Sequence, residues 1–258
     1  MKDPLACPAA AGAFLPGRLL ALPSWVIPGS LARNCRFLAG RADEVGLLFL
    51  EAASSLEYGA EDIPRDLGLL PLRFHVHLPL DLPWERPDKA ARICCALWEK
   101  ISFLHPCRAV LHPPAQGRAA LKALSVFLDK AAQGGAPPGV FLLENTREND
   151  LCALAGLIRD YDLRFCLDMG HILAYGQEKL LDDHALLERA ELLHLSAPGP
   201  DGDAHLPLTA LDARGITLAR RLIRGAPGRS VLMPEMFQWS RVRASLPLIR
   251  RWLESSAP

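Results

Sequence analysis

Short apolar runs recur along this chain, and most are followed by a stretch with helical periodicity. The runs fall at 25–28, 45–51, 73–79, 109–112, 140–144, 164–168, 192–195 and 231–235. Helices are expected between them at 31–39, 89–103, 118–132, 150–160, 180–190 and 217–224, while the connection 57–70 is short for one. Eight strands alternating with helices over 258 residues, with no break in composition, predict an α/β fold. The expected architecture is a single-domain (β/α)8 TIM barrel over residues 1–258, opening on an irregular segment at 1–23. The same alternation permits an open doubly wound sheet. No Gly-rich loop of the dinucleotide or P-loop type follows any run, which lowers that alternative.

The polar residues sit where chemistry happens in a barrel. Six of the expected strands end in a residue type that binds metals: His77, His112, Glu144, Asp168, His194 and Glu235. In a TIM barrel those ends face one mouth, so residues distant in sequence converge there. Three more follow in the adjacent loops: His171, Asp203 and His205. Positions i and i+3 point to opposite faces of a straight strand, so Asp168 and His171 share a site only if the strand ends at Asp168 and turns, which Gly170 eases.

Any one of these residues, taken alone, is more often a satisfied polar group or a helix cap than a ligand. Nine at one mouth are not independent. Four carboxylates in one cavity repel each other and lose hydration unless cations neutralise them. Five imidazoles favour zinc, in two or three ions, or a similar borderline metal such as Mn2+, over metals that prefer all-oxygen shells. His75 shares a strand face with His77 one layer deeper, so it is expected to support the ligands rather than to bind. Glu51, at another strand end, is expected either to support them or to meet substrate. His105 and His184 read as surface or packing residues.

Composition narrows the partners. Lys plus Arg is 29 and Asp plus Glu is 29, so the chain lacks the basic excess that usually accompanies binding to a nucleic-acid backbone. Seven cysteines (Cys7, Cys35, Cys94, Cys95, Cys107, Cys152, Cys166) form no CxxC pair and read as reduced thiols. No run is long enough for a transmembrane helix, and the start of the chain has no sustained apolar region, so a cytoplasmic location away from membranes is expected.

In order along the chain, His112-Pro113, Glu144-Asn145-Thr146, Asp168-Met169-Gly170-His171, His194-Leu195, Asp203-Ala204-His205 and Glu235 resemble the metal motifs of the endonuclease IV family. That family lies within the xylose-isomerase-like TIM-barrel superfamily. With His77, all nine ligands of its three-zinc cluster have a counterpart here. The resemblance implies that Glu144 bridges two metals and that His77 and His112 complete the shell of one. Asp168, His194 and Glu235 would then serve the second, and His171, Asp203 and His205 the third. It also implies that Glu144, Asp168 and Glu235 are catalytic. Within the superfamily, Pro28-Gly29-Ser30-Leu31-Ala32-Arg33-Asn34-Cys35 and His75-Val76-His77-Leu78-Pro79-Leu80-Asp81-Leu82-Pro83-Trp84 resemble the cobamide-remodelling phosphodiesterases. Those enzymes cut the nucleotide loop of a B12-type cofactor to cobinamide phosphate and the free lower-ligand riboside.

Both resemblances imply phosphodiester hydrolysis. Three Zn2+ against four carboxylates leave two positive charges to meet a singly charged diester. A small-molecule corrinoid is the expected substrate, with DNA cut at abasic sites the main rival. A sugar isomerase or epimerase is a third reading, and a corrinoid-binding protein without activity a fourth. Trp84, Tyr175 and Trp239 follow strand ends, where flat rings at the rim would suit a large, partly apolar ligand.

Overall fold

The computed structural model describes residues 14–255, and eight parallel strands in it make a nearly closed barrel. They are β1 (Ala21–Pro23), β2 (Glu44–Leu48), β3 (Arg73–His77), β4 (Ala109–Leu111), β5 (Phe141–Glu144), β6 (Arg164–Asp168), β7 (Ala190–Leu195) and β10 (Val231–Pro234), each paired with the next. A parallel bridge between Leu20 and Leu232, with Leu232 N donating to Leu19 O at 3.0 Å, brings the last strand back to the first. Two further strands, β8 (Ala197–Gly199) and β9 (Gly202–Leu206), form a separate antiparallel hairpin above β7. The single-domain α/β barrel is the architecture that the alternation predicts.

Strand residues alternate between two cores, because successive side chains leave a strand on opposite faces. Ala21, Val110, Leu142, Cys166, Leu192, Val231 and Met233 fill the barrel. Phe74, Val76, Phe141, Leu143, Phe165, Leu167, Leu193 and Leu232 point outward into the larger core beneath the helices. That outer layer contains α1 (Leu31–Leu38), α2 (Ala52–Glu57), α3 (Pro87–Lys100), α4 (Ala120–Gln133), α5 (Ala155–Asp160), α6 (Met169–Tyr175), α7 (His184–Leu187), α8 (Ala213–Gly225) and α9 (Trp239–Glu254). Side chains close several ends. Ser30 Oγ accepts Arg33 N at the start of α1, and Asp212 Oδ1 accepts Gly215 N at 2.7 Å at the start of α8. The Arg18 guanidinium donates to the carbonyls of Ile223 and Ala226 at the far end of α8, where a cation also meets the negative end of the dipole.

Several boundaries differ from the sequence reading. The first strand is Ala21–Pro23, so the segment 1–23 is not irregular throughout and 25–28 is a bend; residues 1–13 of that segment lie outside the described residues. Connection 57–70 contains a short 3-10 turn, Arg65–Leu69, after α2. The segment 180–190 is broken into a 3-10 turn and the single turn of α7. Cys35, Cys94, Cys95, Cys152 and Cys166 are free, but Cys107 is disulfide-bonded, against the expectation of thiols throughout. Spacing along a chain does not say which sulfurs the fold brings together. No described helix is long and apolar enough to cross a membrane.

Candidate metal centre

The alternation that fills the barrel also aims the polar residues. Each strand-end ligand type lies two positions after a residue that points into the barrel, and therefore on the same face: Val110 then His112, Leu142 then Glu144, Cys166 then Asp168, Leu192 then His194, Met233 then Glu235. His77 follows His75 in the same way. Register locks neighbours together, with Asp168 beside His194 and His194 beside Met233.

All nine residues singled out from the sequence meet at this mouth. Glu144 is central and only 1% exposed. Its Oε2 lies 3.2 Å from His77 Nε2 and 3.1 Å from His112 Nε2. Its Oε1 lies 3.2 Å from His194 Nδ1 and 3.8 Å from His171 Nδ1. The two carboxylate oxygens thus serve different groups. Donor atoms of His77, His112 and Glu144 fall within 4.8 Å of one another, as do those of Glu144, Asp168, His194 and Glu235. Beside them, Asp203 Oδ2 stands 3.4 Å from His171 Nε2 and 3.1 Å from His205 Nε2, and His205 Nδ1 is 3.8 Å from Glu235. His112 and His205 keep about a quarter of their side-chain surface open (25% and 24%), so the cluster is reached from their side.

Close packing shifts the proton affinities of these groups. Burial alone would pull His171 down, but Asp168, Asp203 and Glu144 outweigh it and push the imidazole up to about 11. His194 is likewise held well above its ordinary value: burial opposes the shift, and Cys166, Glu235 and Glu144 overcome it. Burial would lift Glu144, yet His194 and His112 keep it well below the usual carboxylate range. Burial dominates at Asp168 and raises it to about 6.

The donor set fits a cation better than it fits protons. Asp168 Oδ2, His194 Nε2 and His205 Nδ1 are buried without a hydrogen-bond partner among the described residues. An orphaned carboxylate oxygen deep in a protein is costly unless it meets a positive charge. His205 also adopts φ of +43°, an uncommon conformation for a non-glycine residue and one that clusters at functional sites.

Supporting groups complete the centre. Asn145 O lies 2.8 Å from His171 Nδ1 and fixes the ring, leaving Nε2 for the mouth. The Asn145 side chain accepts Asp168 N and donates to Asp168 O and to Gln177 Oε1, while Gln177 Nε2 donates to Thr146 O. Gln177 escaped the sequence reading because it lies on a loop beyond α6 with no motif around it. Asp168 turns its chain by capping α6, with Oδ1 accepting His171 N at 2.6 Å. Gly170 therefore serves space rather than the turn: a Cβ there would come within 2.4 Å of Ser196 Oγ.

His75 lies below the cluster. Its Nδ1 is 2.7 Å from Glu44 Oε1, and Glu44 also faces Arg73 and Arg108 at 3.3 and 3.6 Å. Burial would raise Glu44, but Arg108 and His75 hold it down to about 2. Nothing in the sequence marked Glu44, since a charged residue opening a strand reads as solvent-facing. Gly46 gives His75 its room, because a Cβ would stand 2.6 Å from His75 Nε2. Gly46→Ala is expected to cost about 1–3 kcal/mol, visible as a thermal midpoint lower by roughly 2–10 °C. An unchanged midpoint would show that the base of the barrel yields easily.

The remaining expectations divide. Glu51 is exposed and caps α2 from the backbone, three residues past the end of β2, and accepts Ser54 Oγ. Tyr175 stands against the His171 ring, with centroids 5.6 Å apart. Trp84 packs against Phe127 and Trp239 against Phe37, each partly buried against the outer core, so both rings have a packing role. Two rings were missed: Phe237, 4.8 Å from the His205 ring, and Trp25, which is 54% exposed.

No protein-family model and no curated protein matches this chain. Solved structures do. Endonuclease IV from Thermus thermophilus superposes with a TM-score of 0.68 at 20% identity, covering 92% of this chain and 99% of that one. A D-tagatose 3-epimerase-like protein gives 0.69 at 16% identity over 92% and 98%. A second Thermus thermophilus protein, soaked with ZnCl2, gives 0.62 at 20% identity over 93% and 99%. The fold of this chain is therefore the TIM-barrel fold of these structures.

Proposed function

We propose that this protein is a metal-dependent phosphodiester hydrolase, acting on the nucleotide loop of a cobamide to give cobinamide phosphate and the lower-ligand riboside. The observation that carries the reading is Glu144, whose two oxygens face two separate ligand groups with a third group alongside. Such a spread of nine donors exceeds what one ion takes up, and it speaks against the single-metal sugar isomerases. His77, His112 and Glu144 would hold one ion. Glu144, Asp168, His194 and Glu235 would hold a second, and His171, Asp203 and His205 a third. Zinc bound there would supply positive charge for a phosphodiester and lower the pKa of water toward neutrality. The chain's own part is geometric. Asn145 and Gln177 lock Asp168 and His171, and the mouth opens between His112 and His205.

A zero formal net charge, with 29 basic and 29 acidic residues, supports a small-molecule diester over duplex DNA. Abasic-site cleavage remains the second reading, favoured by the likeness to an endonuclease IV structure. Incubating the zinc-loaded protein with a cobamide and, in parallel, with abasic duplex separates them. Corrinoid phosphate should accumulate at a rate that changes little between low and moderate salt, because one diester is engaged rather than a run of phosphates. A strongly salt-sensitive nicked strand, with the cobamide recovered intact, would transfer the assignment to DNA repair.

A further inference from the structure

Beside the metal centre lies a cavity of about 540 Å3 that none of the nine ligands explains. Its walls come from the bend after β1, from Leu48 at the end of β2 and from the segment after it that carries Leu50 and Glu51. Leu48 is the register partner of His77, and Phe49 N donates to His77 O at 3.0 Å, so the cavity sits one strand from a proposed ligand. The volume falls inside the range of roughly 300–1,000 Å3 usual for small-molecule sites. It is large enough for a nucleoside and too small for a corrin ring with its amide arms.

The lining is chemically one-sided. Trp25 presents an indole that is 54% exposed although Ser24 and Val26 on either side are buried, and Tyr58 contributes a second ring. Glu51, Asp62, Ser30 and Ser54 supply carboxylate and hydroxyl groups, and no Lys or Arg is among the lining residues. Neither Glu51 nor Asp62 is in an ion pair among the described residues; their contacts are Ser54 Oγ and Gly59 N. Carboxylates without cations repel a phosphate backbone and accept hydrogen bonds from neutral hydroxyls. An exposed indole offers a face for a flat base.

We infer that this cavity binds a ribonucleoside with a bicyclic aromatic base, the base against Trp25 and the ribose hydroxyls donating to Glu51 and Asp62. This rests on the hydrolase reading in one respect: the nucleoside would be the half of the diester that leaves toward β2. The cavity also disfavours DNA, whose next phosphates would have to pass these two carboxylates.

Calorimetric titration of the zinc-loaded full chain with adenosine and with a benzimidazole riboside tests the site directly. Binding is expected in the micromolar to millimolar range. Trp25→Ala should weaken both ribosides at least tenfold, and Glu51→Gln with Asp62→Asn should weaken the ribosides but not the free bases. Trp25 and Glu51 are exposed, so the variants should fold, which a thermal scan verifies. No heat from either riboside at millimolar concentration, or affinities that all three substitutions leave unchanged, would overturn the inference. Because the readout is binding, a protein that takes the ribosides yet cleaves no cobamide retracts the hydrolase alone. Cobamide cleavage by Trp25→Ala at an unaltered KM retracts the cavity alone.

Discussion

Glu144→Gln is expected to leave the barrel standing and to abolish turnover, with kcat on cobamide down by a factor on the order of 10^3 or more. Glutamine matches glutamate in volume, so the buried position stays filled and the metal-stripped variant should unfold near the stripped parent. What changes is the donor pattern. One amide nitrogen must now face either the His77 and His112 nitrogens or that of His194, each about 3.1–3.2 Å from a Glu144 oxygen in the native arrangement. An amide nitrogen cannot bind a metal as a carboxylate oxygen does, so one of the two groups loses its shared ligand. Elemental analysis of the purified variant should find at least one ion fewer than in the parent. A variant with near-native kcat and full metal content would show that Glu144 bridges nothing.

Stripping the metal is the second large effect. Elemental analysis should find two or three zinc-like ions in the native protein; a well-ordered, metal-replete preparation with one at most would end the cluster reading. After chelation, turnover should fall to background and return with added zinc. At a free metal concentration about a thousandfold above the dissociation constant, one site contributes on the order of 4 kcal/mol to stability, so the midpoint should drop by roughly 10 °C on stripping. Metal must also displace the protons that His171 and His194 retain in its absence, so binding should release protons and weaken as pH falls. The heat of binding, compared across buffers of different ionisation enthalpy, counts those protons. The stripped protein has the opposite dependence. His171 is raised from 6.5 to about 11, so its pairing stabilises fully below 6.5 and is lost as pH climbs through 11. A stripped protein with an unchanged midpoint and full activity would contradict the cluster.

Most of this site was legible because the barrel makes convergence automatic. Once a strand ends at Glu144 or Asp168, its last inward residue reaches the mouth whatever its neighbours are, and strand ends are written in apolar runs. Legibility failed where the determinants were non-local or very short. Ala21–Pro23 is three residues long, and its identity as a strand comes from pairing with β2 and from the bridge that joins Leu20 to Leu232. The apolar 25–28 is instead a bend whose Trp25 lines a cavity, so its composition misled. Helix α6 was invisible because it begins one residue after β6, leaving no linker to announce it. The packing of Trp84 and Trp239 could not be read in advance, because their partners Phe127 and Phe37 come from other parts of the chain. Glu44 and Gln177 are buried polar groups without local signatures, and only the assembled barrel shows what they hold.

Asp168 ties two structures that would ordinarily vary independently. One oxygen accepts the His171 amide and starts α6, and the other is buried with no partner beside the His194 ring. A carboxylate is rigid, so rotating it to suit an ion tilts the first turn of the helix, and fraying that turn swings the oxygen away from the ion. An ion bound at the free oxygen would therefore be coupled to the first turn of α6, which the Asp168 cap already holds. The helix carries His171 and Tyr175 on its length, so an ion seated at Asp168 would reach the mouth twice, once as charge and once as the alignment of a neighbouring ring pair. Selection for tighter metal binding would then tune helix fraying as well, without any residue changing at the rim.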